Sequence, residues 1–455
     1  MFPYRPSAGK PCMFVCAFTL SGILGVLPSV GAIDSGLRCR LGNYVLSDGR
    51  SLAVTGVDGT PHDLAYALSS GEYGRLIWAS GNDYTLGSTP VYGSASFSEC
   101  AAGNVKFDET GKPAVTGHRV ALNMTDTFFD NGGTKLHGKL VMPADGNARA
   151  IVVWIQGSDD DPATDDEHWQ YVLPPLGVGV FVYDKRGSGG SQGELSADFH
   201  VRADDTAAAV REARRLAPKV KLFGDFGGSQ GGWVAPLAAT KADLDFVIVG
   251  YGLAEGVTAQ DRDEVEEQVR AAGYGDDTIS QVRELTSATA RIVKSHWKAG
   301  WHEFAALQRK YGSQPWIKAI QQENGYTGIM LRSPISKIKV MGPKLDMHVS
   351  FDYDPRPVIA TIRPRQLWVL GGSDRTAPNG RTLAILHEIQ QRKTGLDIAV
   401  YKDADHGIAE TFQFRGVSRH RHPAGLPDLI AQWIVADALP APDSNLDIRR
   451  SPNDH

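Results

Sequence analysis

Ser229 stands at the centre of Gly227-Gly228-Ser229-Gln230-Gly231, a G-x-S-x-G run. Before it lies the mostly apolar Val220-Lys221-Leu222-Phe223, and after it the helix-compatible Val234-Ala235-Pro236-Leu237-Ala238-Ala239. A serine in that setting is a candidate nucleophile. The chain must reverse from strand to helix within a few residues, which holds the serine in a strained backbone conformation. Glycines two positions either side remove the Cβ atoms that would clash. The hydroxyl then stands above the sheet, and the helix N-terminus behind it favours developing negative charge. Ordinary Gly/Ser turns can match five residues as well, so the meaning of the run depends on its partners. Attack on a carbonyl carbon needs a general base, a carboxylate that orients the base, and two N–H donors for the oxyanion.

Each partner should sit at the end of a strand. After the apolar run Gln366-Leu367-Trp368-Val369-Leu370 comes Gly371-Gly372-Ser373-Asp374, and after Asp397-Ile398-Ala399-Val400-Tyr401 comes Asp403-Ala404-Asp405-His406-Gly407. These place Asp374 as the orienting acid and His406 as the base. Asp403 and Asp405 are rival acids, but they lie too near His406 in sequence to orient its ring from across a sheet. His62, His118, His137, His420 and His422 are expected to be inert surface residues. The oxyanion donors are expected to be the N–H of Gln230, just after the nucleophile, and the N–H of Ser158. The latter lies in Gln156-Gly157-Ser158-Asp159, which follows the run Ile151–Ile155. The chemistry calls for no metal and no organic cofactor.

The elements that must carry these residues are readable as an alternation. Buried-strand runs at 150–155, 178–183, 220–223 and 245–249 alternate with helical spacing, as over Arg202–Leu216. Nearly continuous apolar strands between helices imply an α/β fold with a mostly parallel sheet covered on both faces. The alternation stops over 254–360, a polar, helix-rich stretch, and resumes over 361–439. We therefore expect core segments at 117–253 and 361–439, with a helical cap inserted between them where a lid would cover the strands' carboxyl ends. Asp263, Glu264, Glu266 and Glu267 read as a solvated helix face, and Trp297, Trp301, Phe304 and Trp316 as the cap's own core. Residues 33–116 carry short apolar runs separated by turn signals and predict a small β-rich domain. The polar residues 440–455 predict a flexible tail.

The first residues carry Arg5 and Lys10, then an uncharged run from Pro11 to Ile33 that ends in Val30-Gly31-Ala32. This predicts a signal peptide over 1–32 with cleavage after Ala32, export to the periplasm or the medium, and no lasting membrane span. Cys12 and Cys16 fall within the leader. Cys39 and Cys100 remain, a disulfide candidate in an exported protein. Losing Arg5 and Lys10 takes the net charge from −5 to −7, which argues against nucleic-acid binding. The expected partner is a small-molecule acyl substrate, and the oligomeric state is not readable.

From about Val120 to Ala438 the chain resembles the α/β-hydrolase superfamily, and within it an exported bacterial esterase and serine aminopeptidase-like branch. The resemblance is carried by Gln156-Gly157-Ser158, Tyr183-Asp184-Lys185-Arg186-Gly187-Ser188-Gly189, Gly227 to Trp233, Gly371 to Pro378 and Asp405-His406-Gly407. It implies an α/β-hydrolase fold with a cap and a small β domain in front. It also implies a Ser229, Asp374, His406 triad cleaving a carboxylic ester, or alternatively a short peptide or aminoacyl amide. A non-catalytic binding protein of the same fold is a more distant alternative. Asp184, Lys185 and Arg186 are expected to form a structural charged turn at the sheet edge. Two departures stand out. Gln156 replaces the family's usual histidine, and Asp225 introduces an acid into the strand that feeds the elbow.

Overall fold

The computed structural model describes residues 36–320, 325–344 and 346–451; the leader expected over 1–32 lies outside them. Among these residues the chain forms a closed barrel, a large mixed sheet and a small hairpin. The barrel strands are β1 (Gly42–Leu46), β2 (Ser51–Gly56), β3 (Leu64–Leu68), β4 (Tyr73–Ser80), β5 (Asp83–Leu86), β6 (Gly93–Phe97), β7 (Asn104–Glu109) and β8 (Val115–Arg119). Each pairs with the next, and β8 closes on β1 through Tyr44↔Arg119 and Leu46↔Gly117. Closure leaves no free edge, and an eight-stranded barrel is narrow enough for side chains to fill. Leu52, Val54, Leu64, Leu76, Leu86 and Phe107 do so, each at most 1% exposed. Cys39 and Cys100 form a disulfide with their Cα atoms 5.6 Å apart, tying the segment before β1 to the β6–β7 turn.

The large sheet is built from β9 (Asn123–Asn131), β10 (Thr134–Met142), β11 (Ala150–Ile155), β12 (Val178–Tyr183), β13 (Leu222–Gly228), β14 (Phe246–Gly250), β15 (Arg365–Gly371) and β16 (Leu396–Tyr401). The hairpin is β17 (Glu410–Phe414) and β18 (Val417–Arg421), and β19 (Leu446–Arg449) returns to the large sheet. Across that sheet the order is β19-β16-β15-β14-β13-β11-β12-β10-β9. The strands from β12 through β16 run parallel, while β9, β10 and β19 pair antiparallel at the two sides. The fully buried patterns of β11, β12 and β14 follow from helices on both faces.

The helices are α1 (Ala163–Asp166), α2 (Trp169–Val172), α3 (Phe199–Leu216) and α4 (Gly231–Ala238), then α5 (Val257–Ala271), α6 (Asp276–Lys294), α7 (Trp301–Tyr311), α8 (Ile317–Ile320), α9 (Tyr326–Arg332), α10 (Ile335–Met341) and α11 (Arg356–Thr361), and finally α12 (Gly380–Gln390) and α13 (Leu426–Ala436). Helix α3 starts at Asp198, whose carboxylate accepts the N–H of His200 and Val201, an N-cap. Helices α5 to α11 are the cap. Trp297, Trp301, Phe304 and Trp316 are buried there in one apolar cluster with Trp233, Val249 and Leu253 of the α/β core. Cap and core thus share one interior.

Two expectations are corrected. Residues 440–455 are not a flexible tail throughout, because β19 pairs with β16 through Ile398↔Arg449 and Tyr401↔Leu446. Leu446 buries its side chain beneath α13 and Ile448 packs on the same cluster; two apolar residues in alternation were enough to hold the strand. The cap carboxylates are not all solvated either. Glu266 pairs with Arg283 and Asp263 with Arg262, while Glu264 is buried.

Candidate active site

Strand β13 ends at Gly228 and α4 begins at Gly231, leaving Ser229 and Gln230 for the reversal. Ser229 takes φ +56°, the left-handed region that costs a non-glycine residue strain. The turn is possible because strand and helix approach closely. A Cβ on Gly227 would meet the Gly231 carbonyl oxygen at 2.1 Å, and one on Gly231 would meet the Ile155 carbonyl oxygen at 2.4 Å. The Ser229 N–H is engaged by the Gly250 carbonyl at 2.9 Å. The strained turn is therefore stapled to β14, and that N–H is not left for an oxyanion.

The structure brings Ser229, His406 and Asp374 together from three elements. Ser229 Oγ lies 3.0 Å from His406 Nε2, and His406 Nδ1 lies 2.8 Å from Asp374 Oδ2. A carboxylate only accepts, so Nδ1 carries the proton and Nε2 is left to accept the serine hydroxyl. Asp374 sits in the turn after β15, and its Oδ1 accepts the Ala377 N–H at 2.8 Å. The Asp374 and His406 side chains are 2% and 7% exposed, so the chain of hydrogen bonds is shielded from water. Tyr251, itself left-handed at φ +43°, sets its ring edge-on to His406 with centroids 5.1 Å apart. The rival Asp405 does not take the Nδ1 position; burial raises its carboxyl above the usual range.

The loop after β11 runs beside Ser229: a Cβ on Gly157 would meet Ser229 Cβ and Asp159 Oδ2, each at 3.3 Å. Gln230 opens α4, where the first N–H groups have no intrahelical acceptor. Gln156 anchors the loop by donating from Nε2 to Asp159 Oδ1 at 3.0 Å and to the Asp161 carbonyl at 2.7 Å. Gln156 therefore has a definite task. The loop is less acidic than Asp159-Asp160-Asp161 suggests, because burial and neighbouring carboxylates push Asp161 up to about 7 and Asp166 up to about 8.

Sequence reasoning missed the two cations that hold this loop. Lys185 was expected to brace the sheet edge together with Asp184 and Arg186. Asp184 and Arg186 do have such roles. Asp184 accepts from Thr164 and Gly190, and Arg186 pairs with Asp205 of α3. Lys185 instead turns inward. Its Nζ donates to the Gly157 carbonyl at 2.8 Å and also to the Asp159 carbonyl, and burial pushes its ammonium down to about 8. Arg202, in the first turn of α3, donates to Gln230 Oε1 and to the Gln156 carbonyl. One guanidinium thus joins the residue after Ser229 to the start of the loop. Nothing in the spacing around Arg202 signals this, since its partners are 28 and 46 residues away.

Asp225 lies in β13, where neither carboxyl oxygen has a hydrogen-bond partner among the described residues. Burial pushes its carboxyl well above the usual range, so it is held as a neutral acid. Two of the histidines expected at the surface are also placed differently. His137 lies between Asp184 and Asp126, and His422 is stacked among other rings.

No family model matches the chain. The uncharacterized protein YfhR of Salmonella typhimurium is 35% identical over 96 residues, which are 20% of this chain and 31% of that protein. The chain thus spans under a third of that relative's length. Among solved structures, the Pyrococcus furiosus esterase Pf2001 is 14% identical at TM-score 0.39, with 63% of this chain and 84% of that one covered. The Pyrococcus horikoshii acylaminoacyl peptidase is 14% identical at TM-score 0.42, with 84% and 55% covered. The α/β hydrolase GrgF of Penicillium sp. sh18 is 16% identical at TM-score 0.40, with 63% and 91% covered. The strand order, the left-handed serine between β13 and α4, and the succession Ser229, Asp374, His406 along the chain together give this protein the α/β-hydrolase fold.

Proposed function

We propose that the protein is a serine hydrolase that cleaves a carboxylic ester through an acyl-enzyme on Ser229. The observation that supports it is the hydrogen-bonded series Ser229 Oγ, His406 Nε2, His406 Nδ1, Asp374 Oδ2, with separations of 3.0 and 2.8 Å. Ser229 Oγ attacks the acyl carbon while His406 Nε2 takes the hydroxyl proton. The N–H groups of Ser158 and Gln230 receive the oxyanion. The tetrahedral adduct collapses with loss of the alcohol, which takes its proton from His406. Water then attacks the acyl-enzyme, again giving its proton to His406, and release of the acid returns that proton to Ser229 Oγ. Asp374 stabilises the imidazolium in both halves. The disulfide is in keeping with an oxidising compartment, which supports export, and among the described residues no helix is long and apolar enough to cross a membrane.

The test uses purified protein with a short-chain acyl ester and an aminoacyl anilide, each run beside Ser229→Ala. The ester should be turned over faster, and the variant should lose several orders of magnitude. Faster anilide cleavage would make the protein a peptidase. Turnover that survives in Ser229→Ala would sink the assignment. No turnover together with no labelling by a fluorophosphonate would leave a binding protein of this fold.

A further inference from the structure

His406 is carried by a short turn in which the Asp405 N–H donates to the Ala409 carbonyl at 2.8 Å. Inside it Gly407 has φ +82° and Ile408 φ +53°. A β-branched residue in the left-handed region is an outlier that its surroundings must impose. Three restraints hold Ile408, the first being its own N–H, which donates to the Asp405 carbonyl at 3.2 Å. Its side chain is 3% exposed within the apolar cluster beneath α13, and its carbonyl lies 3.0 Å from His422 Nδ1. A carbonyl only accepts, so His422 donates through Nδ1–H.

His422 follows β18 directly and meets two further parts of the molecule. Its backbone N–H donates to the Gly71 carbonyl in the β3–β4 turn of the barrel at 2.9 Å. A Cβ on Gly71 would meet the His422 carbonyl oxygen at 2.2 Å, so only glycine allows this approach. The ring stacks on Tyr73 of β4 with centroids 4.8 Å apart, and on His168, just before α2, at 5.6 Å. The barrel grips the same hairpin elsewhere. Arg419 donates to Tyr66 Oη at 2.9 Å and lies over the Tyr92 ring at 4.1 Å, and the backbones of Glu72 and Arg421 pair as an antiparallel β-bridge.

We propose that His422 is a positioning residue for His406: docked on the barrel, it holds the left-handed turn at Ile408 that aims the general base at Ser229. The inference rests on the proposed serine hydrolase function. It gives the barrel a part in the chemistry without any contact with substrate. Burial of the ring and the nearby His168 push His422 down to about 4, in keeping with a neutral donor.

The test is steady-state ester hydrolysis by wild type, His422→Leu, His422→Asn and Gly71→Ala, with melting temperatures alongside. A misaimed base is worth up to about 100-fold in rate. His422→Leu should therefore lose about 10- to 100-fold in kcat with KM within about twofold. Asn presents an N–H donor near the Nδ1 position, so His422→Asn should recover most of kcat. Gly71→Ala, made in the barrel, should lower kcat in the same manner. Wild-type turnover that does not depend on Ser229 would overturn the proposed function and this inference with it. Ser229-dependent turnover left intact by His422→Leu overturns the inference alone. So does a folded His422→Asn as slow as His422→Leu, because ring bulk would then be what matters.

Discussion

His406–Asp374 and His137–Asp184 are nearly the same object in two places. In each, Nδ1 lies against a buried aspartate oxygen, at 2.8 Å and 2.9 Å respectively. What differs is the neighbour of the other nitrogen. His406 Nε2 faces the hydroxyl of Ser229. His137 Nε2 faces a second carboxylate, Asp126, at 3.4 Å. Hydrogen bonds donated by its ring to Asp126 and Asp184 hold His137 up at about 9 despite partial burial, so it is an imidazolium near neutral pH and has no lone pair to offer. A carboxylate on one side of an imidazole prepares a base; carboxylates on both sides make a fixed cation. That cation braces β10 against the β12 loop, while the ring at the carboxyl end of β16 turns its Nε2 to the Ser229 hydroxyl.

The sharpest way to break the comparison is to make the same substitution in both pairs. Asp374→Asn should lower kcat by about four orders of magnitude by favouring the wrong tautomer of His406. Asp184→Asn should leave kcat within about twofold. If both variants lost activity alike, the His137 pair would belong to the catalytic machinery and the contrast would fail. An intermediate effect is expected at the oxyanion loop. Lys185→Met should cost about 10- to 100-fold in kcat with Ser229 still present, since a displaced oxyanion donor is worth up to about 10³. An unchanged kcat would show that Gln156 and Arg202 hold the loop without it. In stability the order of the two pairs should invert. Asp184→Asn should cost about 2 kcal/mol in chemical denaturation, because it weakens hydrogen bonds to a charged partner and to buried donors. The smallest effect is one of pH. His137 has its folded value raised from 6.5 to about 9, so its stabilisation is complete below about pH 6.5 and is lost as pH rises through 9. The melting-temperature difference between wild type and His137→Gln should shrink over that interval. A constant difference would mean that the ring is neutral.

The grouping of Ser229, His406 and Asp374 was legible because the chemistry proposed for it imposes local signatures. Ser229 needs glycines at fixed offsets, and Asp374 and His406 need positions just past apolar strands. The alternation of those strands with helices gave the α/β core, and the turn signals before Asn123 gave the β-rich domain. What could not be read lies in contacts between distant segments. Lys185 and Arg202 resemble any other cations of a turn and a helix until the loop after β11 is folded over them. His422 looks like a surface histidine of a polar run, yet its ring is stacked between Tyr73 and His168. Asp225 was visible as an anomaly, and among the described residues neither of its carboxyl oxygens has a hydrogen-bond partner. Strand β19 was hidden because two apolar residues in alternation are too few to distinguish from a tail.

That last strand bears on how the protein behaves at high concentration. By pairing with β16, the four residues Leu446–Arg449 occupy a row of backbone groups that would otherwise end the large sheet as an open edge. The uncovered strand would be Leu396-Asp397-Ile398-Ala399-Val400-Tyr401, rich in β-branched and aromatic residues, the kind of edge along which sheets of separate molecules join. The short, charge-bearing β19 is then the edge that solvent meets, in place of the more apolar β16. Trimming the residues after Pro440 should leave the triad intact and raise the light scattered by a concentrated solution, and a bulky fusion placed against β19 carries the same hazard.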